Sequence, residues 1–286
     1  MTTPHRIELT YDERVLGMLQ GHLLGDAWGS AYEFGAAIPV TAPLPFTKGI
    51  FGHPAGTGTD DTAVMRAVAA TLIELEGSFH PAVYARHLVA WADTGPLDIG
   101  GQTAKAVRYW RSGSPPPPDS RSQGNGALMG SCPLGVLGPA AAYDAGADLA
   151  AATHPSLVTC EAVADYAELL ALILQDDAHP DLVDVTELEP LNWEPVGPKI
   201  GWVTGCEWLA RAALQRALIT DTSPVEALGW VIRQGGDTDT NGAVAGALLG
   251  AWFGPWPPDF LANLDPAELN TNTQLAAALA RVGDRP

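Results

Sequence analysis

Apolar residues recur at three- and four-residue spacing through most of this 286-residue chain. Val15, Leu19 and Leu23 show the pattern, which gives a helix one apolar face. We predict helices at residues 15–24, 63–75, 83–91, 161–174, 205–219, 224–233 and 243–253, the last of them buried on every side. Strand-like alternation is nearly absent, and residues 182–188 form its one weak candidate. The sequence therefore predicts an all-α fold.

Long segments rich in Gly and Pro separate the predicted helices. They cover residues 34–58, 112–126 and 188–202. None has the composition of an interdomain linker, so we expect residues 1–286 to form a single domain. Loops of this length on a helical scaffold are common places for binding residues.

The charge of the chain limits its partners and its ligands. It has 15 Lys and Arg against 33 Asp and Glu, a formal net charge of -18. General nucleic-acid binding is therefore not expected, because it needs an extensive basic surface. The same charge leaves room for a cation site, because clustered carboxylates need a counter-charge.

Three cysteines and the N-terminal segment bear on the compartment. The cysteines are odd in number, widely spaced and without a CxxC pair, which predicts free thiols and a reducing environment. The N-terminus lacks the apolar region of a signal peptide, and no segment has the length and composition of a membrane span. We therefore expect a cytoplasmic protein.

The first acidic segment, residues 56–62, precedes a predicted helix. Asp60 and Asp61 are adjacent there and follow Thr59. Adjacent carboxylates repel each other unless a positive group lies between them. Two interpretations remain open: Thr59 caps the helix above an acidic first turn, or the three residues bind a cation.

The second acidic segment, residues 235–242, also leads into a helix. Asp237 and Asp239 alternate here with hydroxyl residues, including Thr240. Oxygen ligands without His or Cys suit Mg²⁺, Mn²⁺ or Ca²⁺. The segment resembles the start of an EF-hand loop, but Leu248 stands where that loop needs its glutamate. The two segments together could hold two ions about 3.5–4 Å apart.

Several motifs in a fixed order make the chain resemble the ADP-ribosylglycohydrolase family. They lie at residues 21–27 with Glu33, 58–62, 98–100, 124–126 with Met129 and Pro133, 153–155, 201–203 and 236–250 (GDTDTNGAVAGALLG). The resemblance implies a compact, single-domain orthogonal helical bundle with two Mg²⁺ or Mn²⁺ ions below a cleft. It implies these metal ligands: Thr59, Asp60, Asp61, Asp237, Asp239 and Thr240. One departure is Gly130, where the family usually has Arg, which puts substrate preference in question.

The same resemblance implies two acid/base residues. Glu33 follows Asp26 by seven residues, so both share one helix face if that helix continues. It would lie near the metals and orient water, although a solvated helix-end acid is the alternative. Asp98 lies in a Gly- and Pro-rich loop and would handle a proton, although a turn-forming role is equally open.

Five further residues are implied to bind substrate. Asn125 and Gly126 would approach a phosphate or ribose, with a plain turn as the alternative. Met129 belongs to the same segment. His154, extended because Pro155 follows it, either bonds a ribose or positions a loop. Trp202 either stacks on adenine or packs in the core.

The resemblance therefore implies a metal-dependent hydrolase that cleaves the C1 glycosidic bond of an ADP-ribosyl group. Its partners would be ADP-ribose or an ADP-ribosylated protein, and we expect a monomer. Two alternatives remain: a non-catalytic ADP-ribose-binding or immunity-type protein of the same fold, and a dimetal phosphohydrolase.

Overall fold

The computed structural model describes residues 8–119, 121–176, 200–220 and 222–283. Their α-helices are α1 (Tyr11–Gly29), α2 (Asp60–Glu74), α3 (Pro81–Ala92), α4 (Gly101–Arg111), α5 (Pro139–Thr153), α6 (Leu157–Leu174), α7 (Val203–Thr220), α8 (Pro224–Arg233), α9 (Thr238–Phe253), α10 (Pro258–Leu261) and α11 (Pro266–Val282). Two 3₁₀ helices, Asn125–Ala127 and Cys132–Leu137, lie between α4 and α5. The fold is all-α, as predicted.

All seven predicted helices are present. Three long helices were not predicted: α4, α5 and α11. Helix α5 is mostly alanine, with Gly146 packed against α6, so Leu149 is the one large apolar residue on its buried face. Helix α11 buries Asn272 against α1, where the amide donates to the carbonyl of Leu19. Such faces carry little of the apolar spacing on which the prediction relied.

β-Pairing within the described residues is confined to two isolated bridges. Gly35 pairs with Gly236, and Gly124 pairs with Trp202. The weak strand candidate at residues 182–188 lies outside the described residues. Of the helices in the described part of the chain, none has both the length and the apolar character that crossing a bilayer requires.

Helices α1 and α9 pack with their backbones in close approach. A Cβ atom at Gly21 would lie 2.0 Å from the carbonyl oxygen of Gly246, and one at Gly25 would lie 1.9 Å from that of Gly242. Only glycine fits at this separation. Gly242, Gly246 and Gly250, four residues apart on α9, all make this close contact with α1.

This packing brings the two acidic segments together. Asp26 and Asp239 are both buried, Asp26 near the C-terminal end of α1 and Asp239 in the first turn of α9. Helix α2 begins beside Asp26, because its first turn donates hydrogen bonds to that carboxylate. The acidic ends of α2 and α9 therefore meet at the C-terminal end of α1.

Candidate metal centre and substrate cleft

The N-terminus of α2 is held by the carboxylate of Asp26. This carboxylate accepts from the backbone N–H groups of Thr59 and Thr62, at 2.9 and 3.0 Å, and from both threonine hydroxyls, at 2.9 and 2.5 Å. The Thr59 hydroxyl in turn caps the helix by accepting from the N–H of Asp61. The capping interpretation of Thr59 is confirmed. Asp26 therefore has a structural role, because its carboxylate holds the first turn of α2.

Asp61 is the point at which the two acidic segments touch. Its side chain is buried, and its Oδ2 accepts from the hydroxyls of Thr59, at 3.4 Å, and Thr240, at 3.3 Å. Its other oxygen, Oδ1, is buried and has no hydrogen-bond partner among the described residues. A buried carboxylate oxygen without a donor is costly unless a cation or water satisfies it.

Glu33 reaches this cluster by a different route from the one predicted. Helix α1 ends at Gly29, so Glu33 and Asp26 do not share a helix face. The chain turns after Gly29, and the N–H of Phe34 donates to the carbonyl of Gly236 at 2.6 Å. This contact and the Gly35–Gly236 bridge place Glu33 beside the start of α9. Glu33 is buried, which excludes a solvated helix-end acid.

Two groups of carboxylates have the spacing of metal ligands, and they share Asp239. One group joins it to Asp26 and Asp61, the other to Glu33 and Asp237; in each group one oxygen per residue lies within 4.8 Å of the others. A shared carboxylate between two ligand groups suits a pair of adjacent ions. All donors are oxygens, which fits Mg²⁺ or Mn²⁺.

Asp60 stands apart from both groups. Its Oδ2 accepts from the N–H of Gly100 at 3.2 Å, just before α4. Within the described residues it belongs to neither ligand group, although it lines the same cavity. The structure thus brings together all the predicted metal-binding residues, with Asp60 turned toward the loop that carries Asp98.

Burial and mutual repulsion raise the pKa of the carboxyls in this cluster. Burial is the larger cause for Asp61 and Asp239, followed by the charge of neighbouring carboxylates. The same causes raise the pKa of Glu33 to about 8 and that of Asp60 to about 7. Such crowding has a large electrostatic cost that divalent cations would relieve.

A cleft with a cavity volume of about 220 Å³ opens above the carboxylates. The predicted residues that line it are Glu33, Asp60, Asp61, Asp98, Asn125, Gly126, Met129, His154, Asp237, Asp239 and Thr240. Asp98 is half-buried there, and burial raises the pKa of its carboxyl. The acid/base candidates and most of the substrate-binding candidates therefore face one space.

Asn125 is fixed on two sides. Its N–H donates to the carbonyl of Gly201 at 2.9 Å, and its side-chain Nδ2 donates to Oδ2 of Asp237, also at 2.9 Å. Residue 126 must be small, since a Cβ atom there would lie 2.9 Å from Cε1 of His154. The loop is thus more than a plain turn, because it braces one of the carboxylates.

His154 is buried at the end of α5. Burial lowers the pKa of its imidazole to about 4, so the ring is neutral at physiological pH. Its Nδ1 lies 2.9 Å from the hydroxyl of Thr153. With Nδ1 beside Thr153, Nε2 of the neutral ring can either donate to or accept from a sugar hydroxyl, according to the tautomer.

Trp202 is the one substrate-binding candidate that the cleft wall does not include. It is half-buried, and its backbone pairs with Gly124. Its predicted stacking on adenine stays a prediction. Met129 lines the cleft, and its backbone carbonyl accepts from Nε2 of His22 at 2.7 Å.

Sequence reasoning missed three contributors to the cleft. Phe34 and Phe51 lie on its wall with exposed rings, and the first turn of α4, residues 101–103, completes it. Neither phenylalanine falls in a helical pattern, since both lie in the Gly- and Pro-rich stretch before α2. The one available signal is that Phe34 directly follows Glu33.

Gly130 lies on the side of the loop away from the cleft. It is buried against α2, where a Cβ atom would lie 2.5 Å from Cγ1 of Val64. An arginine at this position would first have to displace α2. The absence of a side chain at Gly130 lets this loop pack directly against α2.

The profile of one protein family, described as ADP-ribosylglycohydrolase, matches residues 8–285. The chain belongs to the ADP-ribosylglycohydrolase family. The chemistry of this family is the hydrolysis of ADP-ribosyl linkages, so the chain is a hydrolase. The resemblance seen in the motifs is thereby confirmed over nearly the whole sequence.

The chain has distant relatives within the ADP-ribosylglycohydrolase family, and two of those described here cover nearly all of it. It is 27% identical to the ADP-ribosyl-[dinitrogen reductase] glycohydrolase of Rhodospirillum rubrum, over 95% of this chain and 97% of that protein. A solved structure titled ADP-ribosylglycohydrolase-related protein complex superposes with a TM-score of 0.78 and 26% identity, covering 95% and 98% of the two chains. A shorter match, 30% identical over 44% of this chain and 36% of the other, is the ADP-ribosylarginine hydrolase Tri1 of Pseudomonas putida.

Proposed function

We propose that this protein uses two divalent ions, Mg²⁺ or Mn²⁺, to hydrolyse the bond between C1 of the distal ribose and its acceptor, releasing ADP-ribose. The observation that carries the proposal is the pair of carboxylate groups that share Asp239 at the floor of the cleft. The orphaned Oδ1 of Asp61 supports it further, because a metal ion is a suitable partner for a buried carboxylate oxygen.

The proposed ligands are Thr59, Asp60, Asp61, Asp237, Asp239 and Thr240, of which Asp60 lies outside both carboxylate groups. When bound, the ions would lower the pKa of a water molecule and hold the ribose hydroxyls. The described residues that line this cleft include neither Lys nor Arg. The charge of its carboxylates is therefore not neutralised by a basic side chain, and divalent ions would neutralise it. The donor set and its surroundings both fit the ions.

Other residues of the cleft would orient the water, transfer the proton and bind the substrate. Glu33, beside the shared Asp239, orients the attacking water. Asp98, half-buried and on the cleft wall, exchanges a proton with the reacting groups. Asn125 and Gly126 receive the pyrophosphate or a ribose, and neutral His154 bonds a sugar hydroxyl. Adenine would extend toward Trp202.

A hydrolysis assay tests the proposal. The substrates are ADP-ribosylated arginine, serine and nucleic acid, each with Mg²⁺ and with EDTA. Release of intact ADP-ribose that requires metal supports the proposal. Asp239→Asn should abolish it, while the exposed Asp144→Asn on α5 serves as the matched control.

The same assay separates the two alternatives. AMP and ribose phosphate among the products would identify a dimetal phosphohydrolase instead. Tight binding of ADP-ribose without turnover of any substrate would identify a non-catalytic ADP-ribose-binding or immunity-type protein. Buried Asp61 and Asp239 favour a catalytic protein, because a protein that only binds ADP-ribose does not need two groups of metal-binding carboxylates.

Three further properties belong to this proposal. We propose that residues 1–286 form one domain, supported by a family match that spans residues 8–285. We propose a monomer, to be measured by light scattering. A cytoplasmic location is supported by Cys132, Cys160 and Cys206, which are all free thiols.

A further inference from the structure

A second cavity, with a volume of about 270 Å³, adjoins the acidic cleft. The two spaces share part of their walls, because Asp60 and Asp98 line both of them. The remaining walls of the second cavity come from the N-terminal half of α2, the end of α3 with the segment after it, and the first turn of α11. A polar space of this size has room for several water molecules.

The charged and titratable side chains of the second cavity differ in how they are satisfied. Among the described residues that line it, they are His53, Asp60, Arg66, Asp98 and Glu268. Arg66 and Glu268 form an ion pair, with 2.6 Å between Nη2 and Oε2, and the side chain of Asn272 accepts from the same guanidinium. Asp60 is held by the N–H group just before α4. The imidazole of His53 is therefore the basic group in this wall that an ion pair does not occupy.

The Nε2 atom of His53 is buried and has no hydrogen-bond partner among the described residues. The turn that carries it is fixed in place. The N–H of Gly49 donates to the carbonyl of His53 at 2.9 Å, and the N–H of Ile50 donates to the carbonyl of Ser30 at 3.0 Å. A buried ring nitrogen is costly without a partner, so its place in the wall of a polar cavity indicates a partner reached through water.

Asp98 lies in a segment with few contacts of its own. At Gly95 and Gly101, on either side of it, an added Cβ atom would have no other atom within 4 Å. An acid/base group on such a segment needs a partner that holds its carboxyl in one orientation. Burial raises the pKa of the Asp98 carboxyl, while the N–H of Ile99 and the charge of His53 lower it. The imidazole is therefore near enough to act on this carboxyl.

We propose that His53 is a positioning residue for Asp98: its Nε2–H donates to a water molecule in the second cavity, and that water donates to the Asp98 carboxylate. This inference rests on the proposed function, in which Asp98 exchanges a proton with the reacting groups, and it adds the residue that orients Asp98. A bridging water is nearly as favourable in enthalpy as a direct hydrogen bond. His53 lines the second cavity and not the cleft, so its effect on the reaction passes through Asp98.

A double-mutant cycle with Asp98 tests the inference. Steady-state kinetics use the ADP-ribosylated substrate that the hydrolysis assay identifies, with Mg²⁺ present. His53→Leu removes the donor and should lower kcat about 5- to 50-fold with little change in KM, which is part of the roughly 10²–10⁴-fold that a positioned acid or base contributes. In an Asp98→Asn background the same substitution should lower kcat less than about 2-fold, because two residues that act through one interaction are not additive.

Two further variants separate the hydrogen bond from other effects of the substitution. His53→Gln keeps an N–H donor near the position of Nε2 and should bring kcat to within about 3-fold of the parent value. His87→Leu is the matched control, since His87 lies on α3, outside both cavities, with its Nε2 bonded to Glu74 at 3.0 Å. It should keep parental kinetics. Melting temperatures of all variants show whether a loss of kcat comes from unfolding.

NMR of the imidazole nitrogens gives a readout that needs no turnover. At mildly alkaline pH, Nε2 of His53 should carry the proton, because it is the donor in the bridge. Asp98→Asn should shift this resonance, since the bridging water loses its carboxylate acceptor. The exposed Asp144→Asn on α5 is the control and should leave the resonance unchanged.

The outcomes distinguish this inference from the proposed function. If no ADP-ribosyl substrate is turned over, the proposed function fails, and the NMR comparison alone decides the role of His53; it also decides if Asp98→Asn is too slow to measure. A parental kcat in His53→Leu, equal losses in both backgrounds, or no recovery in His53→Gln overturns the positioning role while the hydrolase stands. A proton on Nδ1, or a resonance unchanged by Asp98→Asn, overturns it as well.

Discussion

Asn125 and Asp237 are joined by a hydrogen bond of 2.9 Å from the amide Nδ2 to the carboxylate Oδ2. The bond connects the loop before α5 to the N-terminus of α9. It orients one of the carboxylates in the group formed by Glu33, Asp237 and Asp239. A residue expected to touch only substrate thus also supports a proposed metal ligand.

The first prediction follows from this bond. Asn125→Ala leaves Oδ2 of Asp237 without its donor, and loss of such an outer partner typically lowers metal affinity about 10- to 100-fold. Calorimetric titration of metal-free protein with Mn²⁺ measures the change. Gln102→Ala, on the cleft wall but bonded to Ser122, is the matched control. Parental affinity in Asn125→Ala would show that the amide serves substrate alone.

The second prediction concerns stability and metal. Millimolar Mg²⁺ or Mn²⁺ should raise the melting temperature of metal-free protein, because an ion bound only by the folded state stabilises it. Asp239→Asn should remove most of the shift, since both ligand groups include this residue. Asp60→Asn should remove less of it, because Asp60 lies outside both groups. Differential scanning fluorimetry is sufficient, and an unshifted parent melting temperature would exclude the proposed site.

The third prediction concerns pH. Folding raises the pKa of Glu33 from 4.5 to about 8, and that of Asp60 from 3.8 to about 7. A folded state that retains protons already lost by the unfolded chain becomes less stable as pH increases. In EDTA, stability should therefore fall as pH rises from 4.5 to about 8, and Mg²⁺ should oppose the fall. Urea titrations along this pH range measure it; a rise of stability in EDTA would contradict the assignment.

The fourth prediction concerns the contact between α1 and α9. Gly21→Ala forces a methyl group to within 2.0 Å of the Gly246 carbonyl oxygen, so the helices must separate. We expect a loss above about 4 kcal/mol, or no soluble protein. Gly101→Ala has no atom within 4 Å of the added carbon and should change stability by less than about 0.5 kcal/mol. Denaturant midpoints compare the two variants.

The fifth prediction concerns Gly130. Gly130→Arg would place Cβ 2.5 Å from Cγ1 of Val64 and 3.1 Å from its carbonyl carbon. Overpacking of this kind costs about 1–3 kcal/mol, so the variant should be destabilised. Gly130→Ala separates the effect of Cβ from that of the guanidinium. A stable Gly130→Arg protein that binds ADP-ribose more tightly would instead show that the new side chain reaches the cleft.

The sequence alone predicted those parts of the molecule that have a strong residue pattern. Apolar spacing located the helices with large buried side chains, such as α1 and α6. The acid and hydroxyl pattern located Asp61 and Asp239, because two acidic helix starts are costly unless they share a counter-charge. Buried alanine and asparagine faces, as in α5 and α11, leave no such periodic pattern.

Other features depend on how distant segments meet, which no local pattern records. Glu33 joins the carboxylates through a turn and a bridge to Gly236, whereas the sequence suggested a longer α1. Phe34 and Phe51 become a pair only when the segment before α2 folds back on itself. The position of Gly130 against Val64 likewise requires knowledge of which side of its loop faces α2.

The glycine contact between α1 and α9 has a consequence for the chemistry. Side-chain packing can adjust when a core residue changes, but two backbones in direct contact have no compliant atoms between them. The distance from Asp26 to Asp239 is therefore fixed by main-chain geometry, with little dependence on the side chains elsewhere in the core. Substitutions remote from the α1–α9 contact can lower the stability of the fold while the spacing of these carboxylates stays unchanged.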